Sequence, residues 1–219
     1  MEAGGHQGPH NKNGRIAMKL RPLARKALTL FATAALATVS VAGLSACGES
    51  QEDAIKAMLK EQFGQLEQVT DANIKEVFGD DEIAELQKYG IDATELYNAC
   101  VKRFDYEVED VSISDDTATV SLSVTNLDFA TVAASWTDDM TAYLTSDEAV
   151  DDYTNLGEDG MLAKVMGQFV ERLAADDAPT KTASVTLDLK KNGKTWEFAD
   201  EDQVVSAIFA GADPSTLME

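Results

Sequence analysis

Histidine is almost missing from this chain, and that absence narrows its chemistry more than any other feature of its composition. Its two copies, His6 and His10, stand within the first ten of 219 positions. Everything after them lacks a Ser-His-Asp or Cys-His arrangement, the common zinc ligand sets, and the one side chain that ordinarily titrates near neutrality. Cysteine is equally scarce, with Cys47 and Cys100 alone. Cys100 shares the apolar face of a helical stretch with Leu96 and Phe104, so it reads as a buried, inert thiol and not a nucleophile. No Gly-rich phosphate loop occurs: Gly157-Glu158-Asp159-Gly160 lacks the Lys and the preceding strand that a P-loop needs. There is no β/α alternation from which to build two solute-binding lobes, and no solenoid period.

Basic residues are the next deficit. The chain carries 18 Lys and Arg against 39 Asp and Glu, a net charge of −21. Six of those basic residues and one of the acidic ones precede Cys47, which leaves 12 against 38 after it, a net charge of −26. Such a surface repels nucleic acid and anionic lipid and is well solvated, so nucleic acid drops out as a partner. A basic protein partner or loosely held divalent cations remain compatible with it. No cofactor or metal is called for. The acidic stretch Asp147, Glu148, Asp151, Asp152, Asn155, Glu158, Asp159 has neither the Gly at the sixth position nor the Glu at the twelfth of an EF-hand loop.

What the chain does have is a tripartite amino-terminal segment. Met18-Lys19-Leu20-Arg21-Pro22-Leu23-Ala24-Arg25-Lys26 is basic, and Ala27 to Gly43 is 17 residues without a charge. That is short for a membrane-spanning helix of ~20 apolar residues and fits a secretory signal. Leu44-Ser45-Ala46-Cys47 comes next. Leu first, small residues next and Cys last resembles, at every position, the lipobox of bacterial lipoproteins. The resemblance implies transfer of diacylglycerol to the Cys47 thiol, cleavage after Ala46 and further acylation of the new amino terminus. The domain would then sit on the extracytoplasmic face of the cell membrane, held by its lipid. Residues 1–17 have no apolar periodicity and are expected to be an unstructured upstream tail, or to precede a true start at Met18. Residues 18–46 form the signal peptide, 47–50 the lipidated Cys and a short linker, and 51–219 a single domain of ordinary size.

Within that domain, Ile55, Leu59, Phe63 and Leu66 recur at helical spacing. Shorter helices are expected from Asp71 to Phe78, from Asp80 or Asp81 to Tyr89, and from the capping-box run Asp92-Ala93-Thr94-Glu95 to Arg103. The period then changes to two. Tyr106 and Val108 alternate, Val111 and Ile113 continue on shifted parity, and a bulge near Glu109-Asp110 accounts for the shift. Ala118, Val120, Leu122 and Val124 form the return strand, ended by Asn126, with Asp128 as a helix cap. Helices are expected at 129–144 and 161–173, separated by an acidic connection from Ser146 to Gly160 that has room for a short helix in its middle. Val185, Leu187 and Leu189 lead to the Asn192-Gly193 turn and to Trp196 and Phe198. Asp200 or Asp202 caps a closing helix. These elements make an α+β fold: a curved antiparallel sheet of about four strands, in two hairpins, packed against several helices.

The long helix after the lipidated Cys and the closing Lys194-Thr195-Trp196-Glu197-Phe198-Ala199-Asp200 strand resemble the nuclear-transport-factor-2-like (cystatin-like) domains of small bacterial lipoproteins. Some members of that superfamily are enzymes with an Asp or Tyr in a conical pocket. By that resemblance Tyr106 and Tyr143 are pocket candidates, with Tyr97, Tyr153, Asp105 and Asp138 as candidate neighbours. Trp136 and Trp196 read first as core residues at their helical and strand positions, and join the pocket candidates where they line the open mouth of the sheet. The expected function is a non-enzymatic binding module for an envelope protein or a small apolar ligand. The alternatives are an enzyme with an Asp or Tyr base in the cavity, and a weak Ca²⁺-dependent surface adhesion module.

Overall fold

The computed structural model describes residues 9–39, 50–214 and 217. Its sheet comprises β1 (Asp105–Ser114), β2 (Thr117–Leu127), β3 (Thr180–Asn192) and β4 (Thr195–Phe198), in spatial order β1-β2-β3-β4 with every pair antiparallel. Register puts Tyr106 opposite Val124, Val108 opposite Leu122, Val120 opposite Leu187, Ala118 opposite Leu189, and Leu189 opposite Phe198. One face of the sheet is therefore apolar from edge to edge, and Ser and Thr dominate the other face on β2. The parity shift in β1 comes from a bulge between Val108 and Asp110, where the alternation breaks in the sequence.

The four antiparallel strands and the covering helices are present, but the curved sheet expected from the sequence is not. The sheet is open and uncurved. Bulges and glycine kinks are what bend a sheet. Here the bulge is confined to edge strand β1, while β2 and β3 pair without a register shift from Thr117↔Lys190 to Leu127↔Thr180. Neither central strand contains Gly.

Eight α-helices, among the described residues, accompany the sheet. They are α1 (Pro9–Val39), α2 (Gln51–Gly64), α3 (Ile74–Phe78), α4 (Asp80–Lys88), α5 (Ala93–Val101), α6 (Phe129–Leu144), α7 (Asp147–Ala174) and α8 (Glu201–Ile208). A 3-10 turn, Gln65–Gln68, extends α2. The helix starts follow the chemistry of orphan N–H groups. Ser50, Asp92, Asp128, Ser146 and Asp200 each accept a backbone N–H two or three residues on. Asp71 does not cap α3; Asn73 occupies that position, and its side-chain carbonyl instead accepts from the Thr70 N–H at 2.7 Å.

The acidic stretch after Ser146 is helical from Asp147 onward, beyond the short central helix that the sequence allows. It forms the first part of α7, which breaks at Gly157 (φ 71°, ψ −174°) before continuing. That backbone region is essentially open to glycine alone. The Ser146 cap and the acidic first turn, Asp147 and Glu148, suit a helix amino terminus.

Helices α2, α5 and α8 contact the sheet. Helix α1 packs against α3, α5, α6, α7 and α8, and one face of it is buried: Ile16, Leu20, Ala24, Ala27, Leu28, Phe31 and Ala35 are all at most 1% exposed. It runs through Met18 and most of the expected signal segment without interruption.

Asn126 does more than end a strand, because it is wholly buried. It falls on the apolar parity of β2. Its Nδ2 donates to the Cys100 carbonyl of α5 at 3.0 Å and to the Ile208 carbonyl of α8 at 2.7 Å. One amide thus serves the carboxyl-terminal carbonyls of two helices, groups that helix geometry leaves unpaired.

Two variants test this account by urea unfolding. Gly157→Ala places a side chain in the glycine-only region and is expected to cost about 1–3 kcal/mol; a change within about 0.5 kcal/mol, typical of neutral surface sites, would show that α7 bends elsewhere. Asn126→Ala leaves two buried carbonyls unpaired, at about 1–3 kcal/mol each. A neutral outcome there would mean that the carbonyls find other partners.

Candidate functional site

The densest polar cluster lies where α6 meets the two parts of α7. The Tyr143 hydroxyl donates to Asp152 Oδ2 at 2.6 Å. Lys164 Nζ donates to the same oxygen at 2.5 Å and to Glu148 Oε1 at 2.8 Å, and stands 5.4 Å from the centre of the Tyr143 ring. Gly157 makes this possible, because the turn there folds the segment bearing Glu148 and Asp152 back beside Lys164.

Each proton in the cluster is held firmly. Hydrogen bonds from Lys164, then Tyr143, keep the Asp152 carboxyl below its ordinary range. Burial, followed by donation to Asp152, pushes the Tyr143 phenol well up. Hydrogen bonds to Asp152 and Glu148 raise Lys164. A general base must instead be poised near the working pH. The arrangement is a brace: an ionised carboxylate with two donors that tie α6 to α7.

No ring contact joins any two of the four pocket candidates. Tyr106 is half-buried against Phe63 and Phe104, with ring centres 5.0 and 6.2 Å away, and its phenol is raised by burial and by Asp105. Trp136 is buried against Phe169 at 5.1 Å. Trp196 is buried on β4, with Lys191 Nζ 5.7 Å from its ring centre. Tyr143 belongs to the brace. Of the candidate neighbours, Tyr97 is enclosed by Phe31 and Phe78, Tyr153 packs on the core, and Asp138 is exposed. Asp105 accepts the Tyr106 backbone N–H at 2.9 Å. Burial pushes the Cys100 thiol up, which keeps it protonated and unreactive.

An open depression of about 410 Å³ lies beside α5, lined by Glu67, Glu95, Asn98 and Lys102 among others. Lys102 is already committed to Asp176 at 2.6 Å, so the depression offers no free cation of its own there. The described residues contain no cluster of three or more His, Cys, Asp or Glu placed to hold a metal. In the acidic segment, Lys164 pairs with Glu148 and Asp152, and Lys19 pairs with Glu158. Cys47 and the rest of Leu44-Ser45-Ala46-Cys47 lie outside the described residues. No described helix is long and apolar enough to cross a membrane.

The brace is invisible in the sequence because Lys164 meets Glu148 only through the reversal at Gly157. The burial of α1 carries a signal that is there to find. Ile16, Leu20, Ala24, Ala27, Leu28 and Phe31 recur at spacings of mostly three and four, inside a stretch whose composition draws attention to export instead. Compared with known proteins, the chain matches no protein-family model, no curated protein and no solved structure.

The lowered Asp152 pKa carries a sign. Its contribution to stability is full above the unfolded value near 3.8 and is lost as pH falls through the lower folded value. Asp152→Asn should therefore lower the thermal midpoint at pH 6, and the gap to the native chain should close below about pH 4. A gap independent of pH would mean that the ionised carboxylate is not what holds the brace.

Proposed function

We propose that this chain is a bacterial lipoprotein whose domain, held at the extracytoplasmic face of the cell membrane through an acylated Cys47, acts as a non-enzymatic binding module. The observation that carries the anchor is the run of a basic segment, 17 uncharged residues and Leu44-Ser45-Ala46-Cys47. Two or three acyl chains suffice for stable attachment, since each buried CH₂ contributes ~0.8 kcal/mol and a single chain holds only marginally.

Binding through a surface, not catalysis in a cavity, is supported by where the candidate groups are spent. The tryptophans fill the interior, and the Tyr and Asp best placed for proton transfer are locked in the brace. The net charge of −26 after Cys47 favours a basic protein partner in the envelope. The nuclear-transport-factor-2-like kinship enters the proposal through element order alone: a helix soon after the lipidated Cys, then antiparallel strands ending in Trp196 and Phe198. Its conical pocket is not invoked, because the sheet is uncurved.

The test is Cys47→Ser expressed in a bacterium. The native chain should partition with membranes and yield a mass for an amino terminus at acylated Cys47, while the variant stays unacylated and unprocessed. An unmodified amino terminus upstream of Cys47 on the native chain would overturn the proposal.

A further inference from the structure

Processing at Cys47 removes α1, yet α1 is seated in the heart of the fold. Its apolar stripe lies in a trough walled by α3, α5, α6, α7 and α8. Phe31 is the deepest anchor, fully buried with its ring 5.3 Å from Tyr97 and 5.5 Å from Phe209. At the rim, Lys19 pairs with Glu158 of α7, and Lys26 pairs with Glu85 of α4 at 3.0 Å. The two lysines are seven residues apart, two turns of helix or about 10 Å along its axis. Loss of α1 would uncover the Tyr97 and Phe209 rings and leave Glu85 and Glu158, with Asp159 beside them, without these counter-ions.

We infer that the trough vacated by α1 is the binding site of the processed lipoprotein, and that its occupant is an amphipathic α-helix of a partner protein. That helix would carry an aromatic anchor on its apolar face and Lys or Arg about two turns apart at its margins. The inference rests on the lipoprotein reading above. The occupant's chemistry is taken from α1, which meets both requirements of helix-in-groove recognition, apolar anchors at helical spacing and a complementary rim. An acyl chain would use the floor and leave the acidic rim unanswered. A second copy of the processed chain brings a further −26 of charge toward that rim and is repelled. In the precursor, α1 would hold the trough shut as an internal stand-in for the partner.

The experiment uses the protein isolated from its own membrane and returned to phosphatidylcholine vesicles. Mass spectrometry of the amino terminus comes first. A chain still carrying α1 would overturn the lipoprotein reading and this inference together, whereas an acylated Cys47 terminus leaves the occupancy of the trough as the only point at stake. A fluorescent peptide of residues 16–36 is then titrated against the vesicles, with protein-free vesicles as the blank. Saturable one-to-one binding is expected, weakened at least tenfold by Phe31→Asp in the peptide.

Glu85→Lys with Glu158→Lys in the protein should weaken binding several-fold. A peptide carrying Lys19→Glu and Lys26→Glu should restore it. That charge swap separates docking in the trough from adsorption to lipid, and both protein substitutions are at partly exposed positions that do not hold up the core. Failure of the peptide to bind a processed, folded domain would show that the trough closes when α1 leaves. Binding indifferent to the charge swap but displaced by a long-chain fatty acid would show a lipid trough instead. Either result overturns the inference while leaving the lipoprotein reading standing.

Discussion

Five aromatic rings set the organisation of the helical layer. They run Phe129, Phe209, Phe31, Tyr97, Phe78, with successive ring centres 4.5, 5.5, 5.3 and 6.2 Å apart. Tilted and edge-on contacts of this kind add to the burial of large apolar areas. The series links α6, the end of α8, α1, α5 and α3, so five elements distant in sequence depend on one another's presence. Its middle member belongs to α1. On the lipoprotein reading proposed above, the fold is asked to do two things at once: to close its core around α1 and, after cleavage before Cys47, to exist without it. Few packing interfaces are placed under so direct a conflict, since close-packed interiors lose contacts outright when a wall is withdrawn.

Polar interactions keep to a different logic. The wholly buried Asn126 donates only to carbonyl groups that helix termini would otherwise leave unpaired. Charged groups gather toward the outside, where α1 meets α4 and α7 and where α6 meets α7. Exposed pairs of this type contribute little to stability on their own. They do decide which helix faces fit together, because a like-charged neighbour at the same place is repelled. Orientation, more than strength, is what the ion pairs supply.

Much of the fold can be read directly from the chain. Period-two alternation locates the strands, the break after Val108 locates the bulge, and Asp92, Asp128 and Asp200 announce the helices they cap. These are local effects, decided within a few residues. What escapes depends on distant partners. The flatness of the sheet follows from uninterrupted pairing between β2 and β3, which adjacent residues do not encode. The acidic stretch reads as a connection because its composition suits a loop, whereas the Ser146 cap and the Lys164 counter-ion make it helical. Of the candidate site, the sequence identifies the tryptophans as core-forming residues but not their partners, Phe169 beside Trp136 and Lys191 over Trp196.

The open sheet has one more consequence, for a molecule packed beside its own kind. An unclosed sheet leaves two rims of unpaired backbone groups, each a template on which a neighbouring chain could extend it. On β1 that rim carries Asp105, Glu107, Glu109 and Asp110 and is interrupted by the bulge; on the other side β4 is only four residues long. Two such rims brought together would face acid with acid across a broken register, or find too short a ledge to zip along. Copies held at high density, as on the membrane surface proposed above, would therefore crowd without fibrillising.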